Sequence, residues 1–98
     1  MVDASTRVLA KTLFGRELRA ELGVWISRRS GERFFLQEAQ HAMSAYGGAA
    51  SATKDEVDRL VHVDMLDRAP DGRRVYFTPT DHPGWKIFEA AGAVLELD

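Results

Sequence analysis

Four glycine-bearing stops, at Gly15, Ser30-Gly31, Gly47-Gly48 and Asp71-Gly72, cut this 98-residue chain into pieces too short to fold alone. Isolated helices below about 12–15 residues are marginal in water, so each piece has to bury an apolar face against the others. The length gives room for one domain with one core. A hydrophobic fraction of 45% and a charged fraction of 29% are those of a globular chain rather than a disordered one.

The spacing of apolar residues says what each piece forms. A first helix is predicted from Thr6 to Phe14, with Val8, Leu9 and Leu13 on one side and Ser5 or Thr6 as its cap. A second runs from Arg16 to Arg29 on a stripe of Leu18, Leu22, Trp25 and Ile26. Arg33-Phe34-Phe35 allows a minimal strand, and Leu36, Ala39 and Met43 mark a third helix from Leu36 to Ala45. Thr53-Lys54-Asp55-Glu56 reads as a capping box, with the threonine oxygen taking an amide and Glu56 reaching back. The helix it opens is expected to bury Val57, Leu60 and Val61, then Met65 or Leu66, and to end near Asp67. That leaves a long link from Tyr46 to Ala52.

Arg68 to Thr78 reads as a β-hairpin turning at Asp71-Gly72, a pair that tolerates positive φ. A last helix is expected from Pro83 to Leu95. It carries Trp85, Ile87, Phe88, Val94 and Leu95 and is apolar on more than one face. One small core cannot cover all of that, so a second copy of the chain is the simplest cover. The fold class expected is mainly α with a small β-hairpin, in a single domain over residues 1–98.

Several functions are excluded or left without support. Cysteine is absent, which removes disulfides, thiolate metal sites and cysteine nucleophiles. No stretch approaches the roughly 20 apolar residues of a membrane span, and no signal-peptide h-region opens the chain, which fits a cytoplasmic protein. Abundant Arg and Ala, little Lys and no Asn suggest a GC-rich bacterial genome. His41, His62 and His82 are scattered, so surface or capping roles are expected and no metal or cofactor. Glu38, His41 and Ser44 share one helix, which crowds them wrongly for a triad, and no glycine-rich phosphate loop occurs, so no enzyme is expected.

The net charge of −2 is unevenly spread. Residues 16–33 hold five arginines against three glutamates, and residues 68–74 hold three arginines against Asp71. The tail from Asp81 is acidic, so any anion-binding face lies in the middle of the chain. The helix opened at Thr53 is itself acid-rich, since Lys54, Arg59 and Arg68 face Asp55, Glu56, Asp58, Asp64 and Asp67.

Leu13-Phe14-Gly15 before an Arg- and Leu-rich helix, Phe35-Leu36-Gln37-Glu38-Ala39, Val57-Asp58-Arg59-Leu60 closing on Met65-Leu66, and Asp71-Gly72-Arg73-Arg74-Val75-Tyr76 stand in an order that resembles winged helix-turn-helix regulators of the arsenical-repressor (ArsR) type. The resemblance covers nearly the whole chain. It implies a homodimeric, sequence-specific DNA-binding transcriptional regulator, with a recognition helix at about residues 53–66 and a wing at 68–78. DNA contacts would come from Ser51, Thr53, Lys54, Asp58 and Arg59 on the helix and from Arg73 and Arg74 on the wing. The terminal helices would form the dimer seam through Val8, Leu9, Trp85, Phe88 and Val94. Two points stay open at this stage. Arg59 either reads DNA or pairs with Asp55 one turn earlier. The acidic helix also suits a winged-helix module that grips a protein partner and leaves DNA alone.

Overall fold

The computed structural model describes residues 4–95, with side chains from Arg7 onward. Five helices and three strands follow in the order α1 (Ala4–Phe14), α2 (Glu17–Ser27), β1 (Phe34–Phe35), α3 (Leu36–Ser44), α4 (Ala50–His62), β2 (Leu66–Asp71), β3 (Arg74–Pro79) and α5 (Trp85–Val94). The strands form one antiparallel sheet in the order β1-β3-β2, with Phe34 opposite Phe77 and Asp71 opposite Arg74. The chain is therefore mixed α+β, and no helix among the described residues is long and apolar enough to cross a membrane.

Helix α2 is the centre of the fold because it is apolar on two sides. Leu18, Leu22 and Ile26 face a core shared with α3, α4 and the sheet, while Ala20 and Val24 meet Ala10 of α1 and Ala91 and Leu95 around α5. Gly23 lies between those sides, and a Cβ there would stand 2.2 Å from the Phe88 ring. Only glycine lets α5 approach α2 this closely. Phe88 in turn stacks on Phe14 at 5.7 Å and leans on Trp85 at 5.8 Å. The sheet docks through Phe34, which is fully buried between Trp25 (5.4 Å, edge to face) and Phe77 (5.6 Å, stacked).

Most element boundaries agree with the sequence reading, and four features differ for identifiable reasons. Helix α1 already includes Ser5 and Thr6, so neither caps it, and whatever does lies outside the described residues. Helix α4 begins at Ala50, so Thr53 is no cap: it is fully buried, and its hydroxyl donates to the Ala49 carbonyl one turn back at 3.1 Å. The expected capping box is absent because Glu56 turns inward to arginines of α2, and the link to α3 shortens to residues 45–49.

The other end of α4 comes early too. Asp64 takes the left-handed conformation (φ 64°), its amide donates to the Val61 carbonyl at 3.1 Å, and the Met65 amide donates to Leu60 at 2.9 Å. This pair of bonds is a Schellman closure with aspartate where glycine is usual, so no glycine announced it. Leu66 consequently belongs to β2 rather than to the helix. The hairpin turn is also displaced by one residue: Asp71 is the last paired residue of β2, and Gly72 (φ 66°) and Arg73 span the gap.

A fifth correction concerns the seam. Trp85 and Phe88 are buried at 8% and 7% exposure inside the chain's own core, with the Trp85 indole donating to the Met65 carbonyl at 3.0 Å. They are not surface residues waiting for a partner. Val8, Leu9 and Val94 are exposed, as are Leu13 and Ile87.

One carboxylate makes stability pH-dependent. Burial of Glu21 on α2, helped by the charge of Glu17 and opposed by Arg7, pushes its carboxyl from 4.5 up to about 7. A raised folded value means the native state holds the proton more tightly. Its contribution is complete below about 4.5 and is lost as the pH rises to about 7. Glu21→Gln is therefore expected to raise thermal stability at pH 8 while leaving it nearly unchanged at pH 4. Melting curves at both values check this, and an equal shift at the two would contradict it.

Candidate nucleic-acid interface

Helix α4, the start of α3 and the β2–β3 hairpin enclose a cleft of about 300 Å³. Phe35, Leu36, Val75 and Phe77 form its apolar side, and Gln37, Lys54, Asp58, Arg68, Arg73 and Arg74 supply its polar groups. Local structure decides who arrives there. On α4, burial of Thr53, Glu56, Val57 and Leu60 sends Lys54 and Asp58 outward. On β2, Arg68 shares the strand side of Leu66, since the two are two residues apart and side chains alternate. Arg73 sits in the turn, and Arg74 opens β3 with its guanidinium 4.1 Å above the Phe35 ring.

Four cations thus line the cleft beside one carboxylate, and that carboxylate is taken. Asp58 accepts from the Lys54 ammonium at 2.7 Å, and this hydrogen bond and the aspartate charge hold the lysine pKa above its ordinary value. Among the described residues, Arg68, Arg73 and Arg74 have no ion-pair partner. The acid nearest the tip is also compensated, because Asp71 pairs with Arg33 at 2.9 Å, and Arg33 lies 3.8 Å above the Tyr76 ring. The unpaired guanidinium groups of Arg68, Arg73 and Arg74 give the cleft a cationic lining suited to an anion.

The acid-rich reading of α4 changes with its boundaries. Asp64, Asp67 and Arg68 lie beyond the helix, and Glu56 is buried at 2% exposure. Its exposed charges are Lys54 and Arg59 against Asp55 and Asp58, which is neutral rather than negative.

Of the expected contact residues, Lys54, Asp58, Arg73 and Arg74 come together in the cleft. Ser51 is exposed on the first turn of α4, whereas Thr53 is corrected from contact residue to core residue. Arg59 points to a separate depression with Arg16, Asp55, Asp58 and His62, and its near acid is Glu56 at 3.8 Å. Two polar residues of the cleft are not among the expected contacts, Arg68 and Gln37. Arg68 was placed at the base of the hairpin, because extending the helix through Leu66 hid the strand alternation that would have turned it inward. Gln37 had no signal beyond its place at the start of α3. Of the histidines, His82 accepts the Gly84 amide at 2.9 Å in the turn before α5, and no side chain caps that helix. In comparisons with known proteins, no family model and no curated protein matches this chain.

Proposed function

We propose that the chain is a winged helix-turn-helix transcriptional regulator that binds double-stranded DNA as a homodimer. Helices α3 and α4 are the helix-turn-helix, α4 is the recognition helix, and β2–β3 is the wing. The observation that carries this reading is the set of three uncompensated arginines, Arg68, Arg73 and Arg74, beside Lys54 in a cleft between a half-exposed helix and a hairpin. Phosphate neutralisation by such cations supplies most non-specific DNA affinity. The link between α3 and α4 is short, residues 45–49, and the outer face of α4 is neutral rather than acidic. The balanced charge of α4 still leaves a protein-binding module as the second reading, since a helix that reads DNA is usually more basic.

The dimer seam in this proposal is the exposed apolar side of α1 and α5, with Val8 at 65% and Val94 at 67% exposure. Two-fold symmetry then implies a pseudo-palindromic site with half-sites about one helical turn apart. Because Val8 and Val94 touch little of the chain's own core, Val8→Glu and Val94→Glu should keep the fold and halve the mass seen by light scattering. A parent protein of one-chain mass at micromolar concentration would overturn the seam. For function, an electrophoretic mobility assay on DNA upstream of the protein's own gene should give a retarded species that survives competitor DNA. Absence of retardation even at low salt would hand the case to the protein-binding module.

A further inference from the structure

Glu56 is the one buried charged residue among the described residues, and no role in contacting DNA accounts for it. Its carboxylate lies on the flank of α4 that meets α2. One oxygen accepts from the Arg19 Nε at 2.7 Å, and the other accepts from Arg16 at 3.1 Å and again from Arg19 at 3.3 Å. Arg19 also donates to the Phe14 carbonyl at 2.7 Å, the last residue of α1. Three helices thus meet at a single carboxylate: the end of α1, the start of α2 and the middle of α4. Burial pushes the carboxyl up, but hydrogen bonds from Arg19 and Arg16 outweigh it and hold it below the ordinary range.

The rest of the attachment of α4 is mainly apolar, apart from one hydrogen bond that the Gln40 side chain of α3 donates to the Ala50 carbonyl at 3.0 Å, at the helix's first residue. Val57 and Leu60 pack into an apolar core, where contacts tolerate small rotations and slides of a helix. A carboxylate held on both oxygens by two guanidinium groups is directional and tolerates neither. Glu56 is also separated by only one residue from Asp58 and by one from Lys54, so a rotation of α4 at Glu56 moves both cleft residues with it.

We infer that Glu56 is a positioning residue for the cleft: held by Arg16 and Arg19, it sets the rotation of α4 against the α1–α2 corner and so the separation of Lys54 from the arginines of the hairpin. This rests on the DNA-binding reading for its functional consequence, though not for its structural one. It ties the posture of α4 to the end of α1, the helix that also carries part of the proposed dimer seam.

The test turns on a sign. Glu56→Gln keeps the shape and removes a negative charge, and it leaves Arg16, Arg19 and the more distant Arg59 without their acid. Charge alone then predicts tighter binding to a polyanion. Positioning predicts weaker binding. With the full-length chain well below its melting temperature and a mixed-sequence duplex at low salt, affinity should fall about fivefold or more, the size of an ordinary coupling between sites. Amide hydrogen exchange on the same variant should show α4 losing protection ahead of α2 and α5. Unchanged or tighter binding together with a uniform loss of protection in all three helices would overturn the inference. If Glu56→Gln does not fold, Arg16→Gln removes only the more exposed partner; because it also removes a positive charge, weaker binding no longer discriminates there, and exchange decides: protection lost selectively in α4 supports the inference and uniform loss overturns it. If the parent binds no DNA, the proposed function has failed, and exchange alone decides: selective loss in α4 keeps Glu56 as the element that sets its posture, and uniform loss removes that role.

Discussion

Phe34→Ala is expected to cost about 3–5 kcal/mol, the range for removing a large aromatic side chain from a packed core. Phe34 is fully buried, lies edge to face against Trp25 and stacks on Phe77, so it ties α2 to the sheet across two interfaces at once. A domain of this size has about 5–15 kcal/mol of total stability, so the loss approaches unfolding. The melting temperature should fall by more than about 12 °C. The neighbouring residue supplies the control. Phe35 points to the other side of the same two-residue strand, half exposed, with an edge contact to Tyr76 at 6.0 Å and Arg74 above its ring. Phe35→Ala should cost about 2 kcal/mol, roughly half the transfer term of a fully buried aromatic plus one aromatic pair and one exposed cation–π contact at the low end of their ranges. Calorimetry on both variants checks the contrast. Equal losses would mean that the sheet does not dock as described.

The second large effect is on binding. Arg73→Ala combined with Arg74→Ala should leave the fold almost intact, because Arg73 is exposed in the turn and Arg74 contributes only its stacking on Phe35. If both touch DNA, each protomer loses about 2–6 kcal/mol of binding. That is a fall in affinity of at least about thirtyfold. The slope of log affinity against log salt should flatten by up to about 0.9 for each phosphate contact removed. Lys54→Ala should act differently. Its ammonium is shared with Asp58, so its removal frees a carboxylate in the cleft and should alter which sequences are preferred as well as how tightly they bind. A double variant that binds as tightly as the parent, with the same salt slope, would show that the hairpin does not touch DNA.

The stretches of the chain that were legible from sequence share a physical property. Where a residue type has one dominant local use, the reading holds: Gly15, Gly31 and Gly47 have positive φ where helices stop, and Phe34-Phe35 forms the short strand. The errors came where a local motif competed with a tertiary partner. Thr53 and Glu56 have the spacing of a capping box, but the arginines that claim Glu56 are 37 and 40 residues away, and nothing local reports them. Asp64 ends α4 in a conformation for which glycine is the usual signal, and the missed stop concealed Arg68 from the cleft. The apolar excess of α5 predicts a partner surface, whereas Trp85 and Phe88 are consumed by the close approach that Gly23 permits. The candidate cleft was visible only in part because its residues come from four segments, and sequence spacing links residues within a segment but not between them.

The central claim is that duplex DNA lies against the cleft formed by α4 and the hairpin. Backbone amide chemical shifts of the isotope-labelled protein, followed while a mixed-sequence DNA duplex is added at low salt, test it most directly. The account predicts that the largest changes fall on the first half of α4 around Ser51 and Lys54, on Gln37, and on Arg68, Arg73 and Arg74, while the exposed side of α1 and α5 around Val8 and Val94 stays unchanged. Shifts confined to α1 and α5, or none at all at low salt, would contradict it.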